Sequence, residues 1–455
     1  MRCSQTNFGT TRSRGTVLIL TMWIVLILAG LVLVFGRAMR VEVSASANHV
    51  AALQAEAVAQ GALRFLVSQV DGTDGNYVPD AATSFEAVPV GDGFFWMLNP
   101  AVDDDRNYFF GIRDEASRIN LNSASTDMLL KLPGMTAELA AAVVDWRDTD
   151  DEVSPGGAEG EYYLLLSDPY YCKNAPFETV EELLLVKEGS SALLHGEDAN
   201  RNGFLDANEN DADDADPPDN RDGHLDRGLR DYLTVYSREP NLSSSGEERI
   251  NVNDAGARRL GGLLRGVVGE DRYFQLMDRV RDGRPFRNIL DFRIRTGLTA
   301  SEFGQIADRL TTTRERTLTG LINVNTAPRD VLLCLPGLEE SDVDALMTKR
   351  SAPDTDLTTI AWVADVLSPE KARLVGDVIT TRSFQFSADI LGVSGSGRAF
   401  RRYRAVVDAR TSPPRVLYWE EVTHLGWPLA PEILAEMRAG RSPAGRGSFE
   451  TVGAR

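Results

Sequence analysis

The longest apolar run in the chain is TVLILTMWIVLILAGLVLVF, Thr16 to Phe35, with no charged residue in it. Roughly 20 apolar residues at about 1.5 Å each cross a bilayer as a helix. Beyond Phe35 the pattern changes character without stopping. From Arg37 to Gln60 there is neither Pro nor Gly, and apolar positions recur at Val50, Leu53 and Ala57, then at Leu63, Leu66 and Val70. That is the spacing of one helical face. A single helix from Thr16 to about Val70 is expected, roughly 80 Å long, membrane-spanning first and amphipathic afterwards.

Residues 71–93 are rich in Gly, Asp and Pro and read as a loop. GFFWMLNP (93–100) and NYFFGIRDE (107–115) are short, aromatic and β-prone, and are expected to be neighbouring strands packed on the long helix. After Ser117 the pattern is helical until about Thr380. Strand-like sequence then returns in RSFQFSADILGV and RAFRRYRAVVDAR, joined by SGSG, and again in RVLYWEEVTHLGW. The order strand–helix–strand predicts a β-sheet interrupted by a helical insertion. The end of the chain, 429–455, has a short helical run and then Gly, Arg and Ser, a composition expected to be disordered.

The helical middle repeats itself. INLNSAS (119–125), INVNDAG (250–256) and INVNTAP (322–328) share the pattern Ile-Asn-apolar-Asn-x-Ala. Asn122, Asn253 and Asn325, or the residues just after them, are expected N-caps of the helices that follow. In the first and third repeats LPGM (132–135) and LPGL (335–338) turn one helix into the next. Leu139, Val143 and Trp146 then share a face that should be buried. Such helix-hairpin-helix-like pairs are best known for gripping DNA phosphates through a Gly-x-Gly turn. Here Thr136 and Glu339 stand where the second glycine would be, and the net charge is −19. Both features oppose nucleic acid as a partner.

Acidity gathers in three places. DANRNGFLDANE (198–209) fills every position of a calcium loop of EF-hand type: Asp198, Asn200, Asn202, the carbonyl of Phe204, Asp206 and Glu209, with Gly203 at the turn. No good exiting helix follows, so the expected role is a structural clamp whose folding is linked to calcium. A half-motif, DNRDGHLD (219–226), offers Asn220, Asp222 and Asp226 for a second ion, with an acid borrowed from elsewhere. A third cluster, Asp148, Asp150, Asp151 and Glu159, surrounds a Pro-Gly-Gly turn. The four histidines show no metalloprotease spacing, and neither a Gly-x-Ser-x-Gly elbow nor a phosphate loop is present. No catalytic constellation is expected. Cys172 and Cys334 are either a bridge or two apolar thiols.

Gly15 lies after a short basic leader and directly before the apolar run, where type IV prepilin leaders are cut. Together with FFGIRDEASRINLNSAS, VDWRDTDDEVSPGGAEGEYY, PFETVEELLLVKEG and DYLTVYS, this leader resembles the K-type minor pseudopilin of type II secretion (GspK-like). The resemblance runs from about residue 12 to 420. It implies an α+β, pilin-like fold: a leader (1–15), a transmembrane and stem helix (16–70), a β region in two parts (71–118 and 381–428) and an inserted helical domain (119–380). The acidic loop at 195–228 is an enlargement on the family pattern. The resemblance further implies cleavage after Gly15 by prepilin peptidase, methylation of the new terminus on Thr16, and an inner-membrane anchor with a periplasmic head. It implies a place at the pseudopilus tip beside the I- and J-type minor pseudopilins, and calcium sites in the helical domain. Leu20 stands where most pilins carry a fifth-position glutamate, which fits a tip subunit with no neighbour above it. Rival readings are a minor subunit of a type IV pilus, a membrane-anchored hairpin DNA receptor, and a calcium-dependent surface-binding module.

Overall fold

The computed structural model describes residues 14–77, 83–101, 104–212, 219–254, 258–280 and 284–443. The leader residues before Arg14 and the tail beyond 443 lie outside them. One helix runs Arg14–Val70. Its apolar part is exposed throughout, as a lipid-facing segment would be, and it is the one described helix long and apolar enough to cross a membrane.

The stem buries a different stripe from the one its large residues suggested. Ala51, Ala55, Val58, Ala59, Ala62, Leu66 and Val70 face the protein, while Val50 and Leu53 face outward. The reason is how closely the sheet approaches. A side chain at Gly392 would stand 2.7 Å from the Ala55 carbonyl oxygen and 2.8 Å from the Ala59 amide. Backbones that close admit alanine and exclude valine or leucine. Tyr403 also donates a hydrogen bond to Glu56 of the stem.

The sheet against the stem has six strands. In chain order they are β1 (Val88–Val90), β2 (Gly93–Leu98), β3 (Arg113–Asp114), β4 (Gln385–Val393), β5 (Phe400–Asp408) and β6 (Arg415–Glu421). The order is β1-β2-β4-β5-β6, with β3 beside the start of β4, and every pairing is antiparallel. The segment 107–115, expected to be a full strand, contributes only β3 and one bridge from Phe110 to Leu98. Because Asp114 pairs with Phe386, the insertion leaves and returns at the same place in the sheet.

One sheet face packs on the stem through Phe95, Met97, Ile390 and Val407. Trp96, Leu98, Leu391 and Val393 cover the other face and meet Leu429, Ile433 and Met437. Those last three belong to the helix Pro431–Arg438 and its approach. The helix Pro431–Arg438 is the short helical run expected there and forms a layer on the sheet, while the Gly-, Arg- and Ser-rich end beyond 443 lies outside the described residues. Ile433 and Met437, four residues apart, supply the apolar face of that helix.

The insertion has its own core, and the three Ile-Asn repeats are its joints. Ile119–Asn120 pairs in parallel with Leu233–Thr234, Ile250–Asn251 with Leu310–Thr311, and Ile322–Asn323 with Ile379–Thr380. Each repeat is thus a loop closed by a two-residue parallel ladder. Leu139, Val143 and Trp146 are buried on the second helix of the first repeat, Ala137–Arg147.

The repeat asparagines have another task than capping. Asn122 Nδ2 donates to the Phe177 carbonyl (3.0 Å), and its Oδ1 accepts from the Phe177 amide (2.7 Å). Asn253 grips Phe286 the same way at 3.0 and 2.7 Å. Asn325 donates to the Leu357 carbonyl. The cap of the first helix is Ser125, whose hydroxyl accepts from the Met128 amide. A primary amide can satisfy a backbone N–H and C=O together, as a strand would.

Candidate calcium loops and carboxylate cluster

The loop 198–209 is wound around its own side chains. Asp198 accepts from the amides of Asn202 and Gly203, and Glu209 reaches back to the amides of Ala199 and Asp206. Arg201 and Gly203 take positive φ of 57° and 69°. At Gly203 a Cβ would fall 2.2 Å from Pro100, so only glycine fits. Asn200 and Asn202 both donate to one Asp206 oxygen, at 2.6 and 3.1 Å. Asp198 and Glu209 are nearly inaccessible. Burial, then the charge of Asp231, raises the Asp198 carboxyl to about 6. Burial, then Asp198 itself, raises Glu209 to about 8. Two buried acids resisting ionisation, with the Asn200 amide oxygen sharing the Asn202 N–H with Asp198, fit a hard divalent cation.

The loop is also wedged between the two parts of the molecule. Arg402 of β5, wholly buried and paired with Asp389, donates to the carbonyls of Asn200 and Arg201. Asn202 donates to the Pro428 carbonyl, and Phe204 stacks on Tyr108 with ring centres 4.5 Å apart.

The half-motif at 219–226 copies this winding. Asn220 Oδ1 accepts from the Asp222 amide, Asp222 Oδ1 from the His224 amide, and Arg221 and Gly223 have positive φ. Glu197, which sequence reading missed, occupies the place that Glu209 takes in the first loop. Its two oxygens accept from the amides of Asn220 and Asp226. Proximity in sequence to Asp198 was the available signal.

The third cluster is different from the one expected. Asp145, Asp148 and Glu159 bring carboxylate oxygens within 4.8 Å of one another. Asp150 and Asp151 point elsewhere: Asp150 accepts from the Glu152 amide, and Asp151 accepts from the Asn174 side chain. Asp145 replaces them because it sits one helical turn before Asp148, on the same edge of its helix. It is fully buried and accepts from the amides of Ser154 and Ala158. Both oxygens of Glu159 and one of Asp148 are buried without a hydrogen-bond partner. Burial raises both carboxyls, with Asp150 adding to the rise at Asp148. Orphaned buried carboxylate oxygens are what a cation would satisfy.

Other candidates are separate. His49 lies on the stem, His224 is exposed, His424 is in a short turn, and His195 contacts Arg201. Burial, then Arg201, lowers His195 to about 4. Cys172 and Cys334 are free thiols, so no bridge joins them. Thr136 and Glu339 are N-caps of the helices Ala137–Arg147 and Glu340–Arg350, which uses the turn for helix capping.

The architecture defines a class: a chain with one described helix long and apolar enough to cross a membrane, and an antiparallel sheet interrupted by a helical domain. Residues 114–195 match the family model for the type II secretion system (T2SS), protein K. That stretch holds the first repeat and the Asp145–Asp148–Glu159 cluster, and ends just before the acidic loops. This segment therefore resembles the protein K type. The chain is also similar to a chain in the crystal structure of the GspK-GspI-GspJ complex from the enterotoxigenic Escherichia coli type 2 secretion system. Identity is 15%, over 84% of this chain and 99% of that one, with a TM-score of 0.39. No curated protein matches.

Proposed function

We propose that the chain is a K-type minor pseudopilin that sits at the tip of a type II secretion pseudopilus and helps to start or cap its assembly. The observation that carries this reading is the protein K match over residues 114–195. The single apolar stem and the sheet split by that segment's domain support it. The stem anchors the chain in the inner membrane with the head in the periplasm, after prepilin peptidase removes residues 1–15 and Thr16 becomes the methylated terminus. The helix pairs joined at Leu132–Met135 and Leu335–Leu338 are helix-hairpin-helix-like units used for packing. Lys131, which donates to the carbonyls of Leu333 and Leu335, ties the first such unit to the third.

Calcium is the cation we assign to the loop 198–209, with Asp145, Asp148 and Glu159 as a further site and Asn220, Asp222, Asp226 and Glu197 as another. Bound there, it would supply positive charge that lets buried carboxylates ionise. The chain's own residues hold the loop against Arg402 and Pro428, so the ion-bound loop fixes the insertion on the sheet.

The test is a pull-down of the head, residues 41–455, with the I- and J-type heads of the same genome, with and without calcium. The expected result is a ternary complex that weakens when calcium is chelated. No complex in either condition rejects the tip role and favours a pilus subunit or free-standing module.

A further inference from the structure

The first repeat carries an apolar surface that neither the fold nor the cation sites use. Leu165 is 87% exposed and Tyr171 is 79% exposed, and Tyr162, Leu164, Leu184 and Leu185 are exposed beside them. Three chain segments make this face, and hydrogen bonds hold them together. Tyr170 Oη donates to the Leu185 carbonyl at 2.7 Å, and the Lys187 amide donates to Tyr163 Oη at 3.2 Å. The Tyr163 ring lies 5.2 Å from that of Tyr162 and 5.4 Å from that of Tyr170. The underside is rigid, since Trp146 packs edge to face against both Tyr163 and Tyr170 beneath it. Large apolar side chains on a fixed frame, left in water, mark a protein contact.

The charges around this face choose the partner. Glu161, Asp168, Glu178 and Glu188 are exposed along the same segments. Lys173 and Lys187 are the only lysines or arginines between Asp148 and His195. Both are engaged by groups of the same segments. Lys173 Nζ meets Glu182 at 2.8 Å, and Lys187 Nζ donates to the carbonyls of Gly156 and Gly157 while lying over the Tyr162 ring. Lys173 also lies 3.7 Å from Glu178, so the rim owes its acidity to Glu161, Asp168 and Glu188. A second copy of this face would meet it with like charge, and an anionic lipid surface would be repelled.

We infer that this face of the first repeat docks a partner protein whose contact surface has an apolar centre and a lysine- or arginine-rich margin. The inference rests on the pseudopilin reading for the setting in which such a partner is met. Apolar anchors ringed by charge are the usual anatomy of such a contact, with the centre supplying affinity and the rim steering approach.

The experiment uses the full chain in cells that hold the rest of the export system. One variant combines Leu165→Ser with Tyr171→Ser, and a second combines Glu161→Lys with Glu188→Lys. All four side chains are exposed, so the melting temperature of each head should match the parent. Export is expected to fall at least about tenfold in both variants. Each variant is then tested for binding the I- and J-type heads. Lost binding places the partner among the tip subunits, and retained binding with lost export places it elsewhere on the export path. Either result upholds the face. Full export with both variants overturns it, and full export with the charge reversal alone overturns the basic partner. If deleting the whole chain leaves export intact, the pseudopilin reading fails and takes this inference with it.

Discussion

Asp231 shows how one residue is held by opposing effects. Burial pushes its carboxyl up, but Arg113, Arg118 and Arg227 together outweigh burial and bring it down to about 2. The Arg113 contact is 2.9 Å. A depressed carboxyl contributes stability above its unfolded value of about 3.9, and that contribution is lost as pH falls through about 2. Asp231→Asn should cost about 3 kcal/mol at neutral pH, because it leaves buried guanidinium charge without its partner. Thermal melts from pH 7 to pH 2 should show the gap to the parent closing at the acid end. A second residue-scale test concerns the loop. Asp198→Ala with Glu209→Ala should abolish most of the rise in melting temperature that calcium gives the head, since binding to the folded state stabilises by mass action. An unchanged calcium response would reject this loop as the main site.

The repeat joint is the recurring element of the insertion. In each repeat the first asparagine accepts from the amide two residues on, as Asn120, Asn251 and Asn323 do. The second asparagine then grips a distant backbone. Arg147 and Arg350 complete the first and third joints by donating to the carbonyls of Leu121 and Ala124, and of Val324 and Ala327. Asn253→Ala removes both hydrogen bonds to Phe286 and should cost about 2–3 kcal/mol. Hydrogen exchange should then rise first around residues 284–296, where the helix Ile289–Thr296 begins. The motif INxN was visible in the sequence. Its use as a clamp was not, because the partners Phe177, Phe286 and Leu357 stand tens of residues away and nothing local specifies them.

At the scale of the molecule, one helix carries the anchor and packs one face of the sheet, and the insertion is joined to the sheet at several places. Asp114 is one of them: Asn323 and Thr326 of the third repeat and Ser383 before β4 all donate to it. The acidic loop, tied to Arg402 and Pro428, makes an attachment on another side. A head joined at several places can pass force from partner to stem as one body. Whether the chain reaches its place depends on the other end. Gly15→Ala should leave the full-length precursor uncut, seen as slower migration on a gel. Normal processing would sink the prepilin reading.

By itself the sequence determined what periodicity and local chemistry determine. The long helix, the strand segments, the insertion between them and the spacing of oxygen-bearing side chains in the loop 198–209 all follow from residues close together in the chain. Tertiary structure decided what depends on approach between distant segments. Gly392 chose the alanine stripe of the stem over Val50 and Leu53. Ile433 and Met437 seated the short helix after Ala430 on the far face of the sheet. Asp145 took the place of Asp150 and Asp151 because a helix edge, not a run of acids, sets which carboxylates can meet. Glu197 completed the second loop from outside its motif. In each case the deciding quantity was a distance across the fold, and no spacing along the chain contains it.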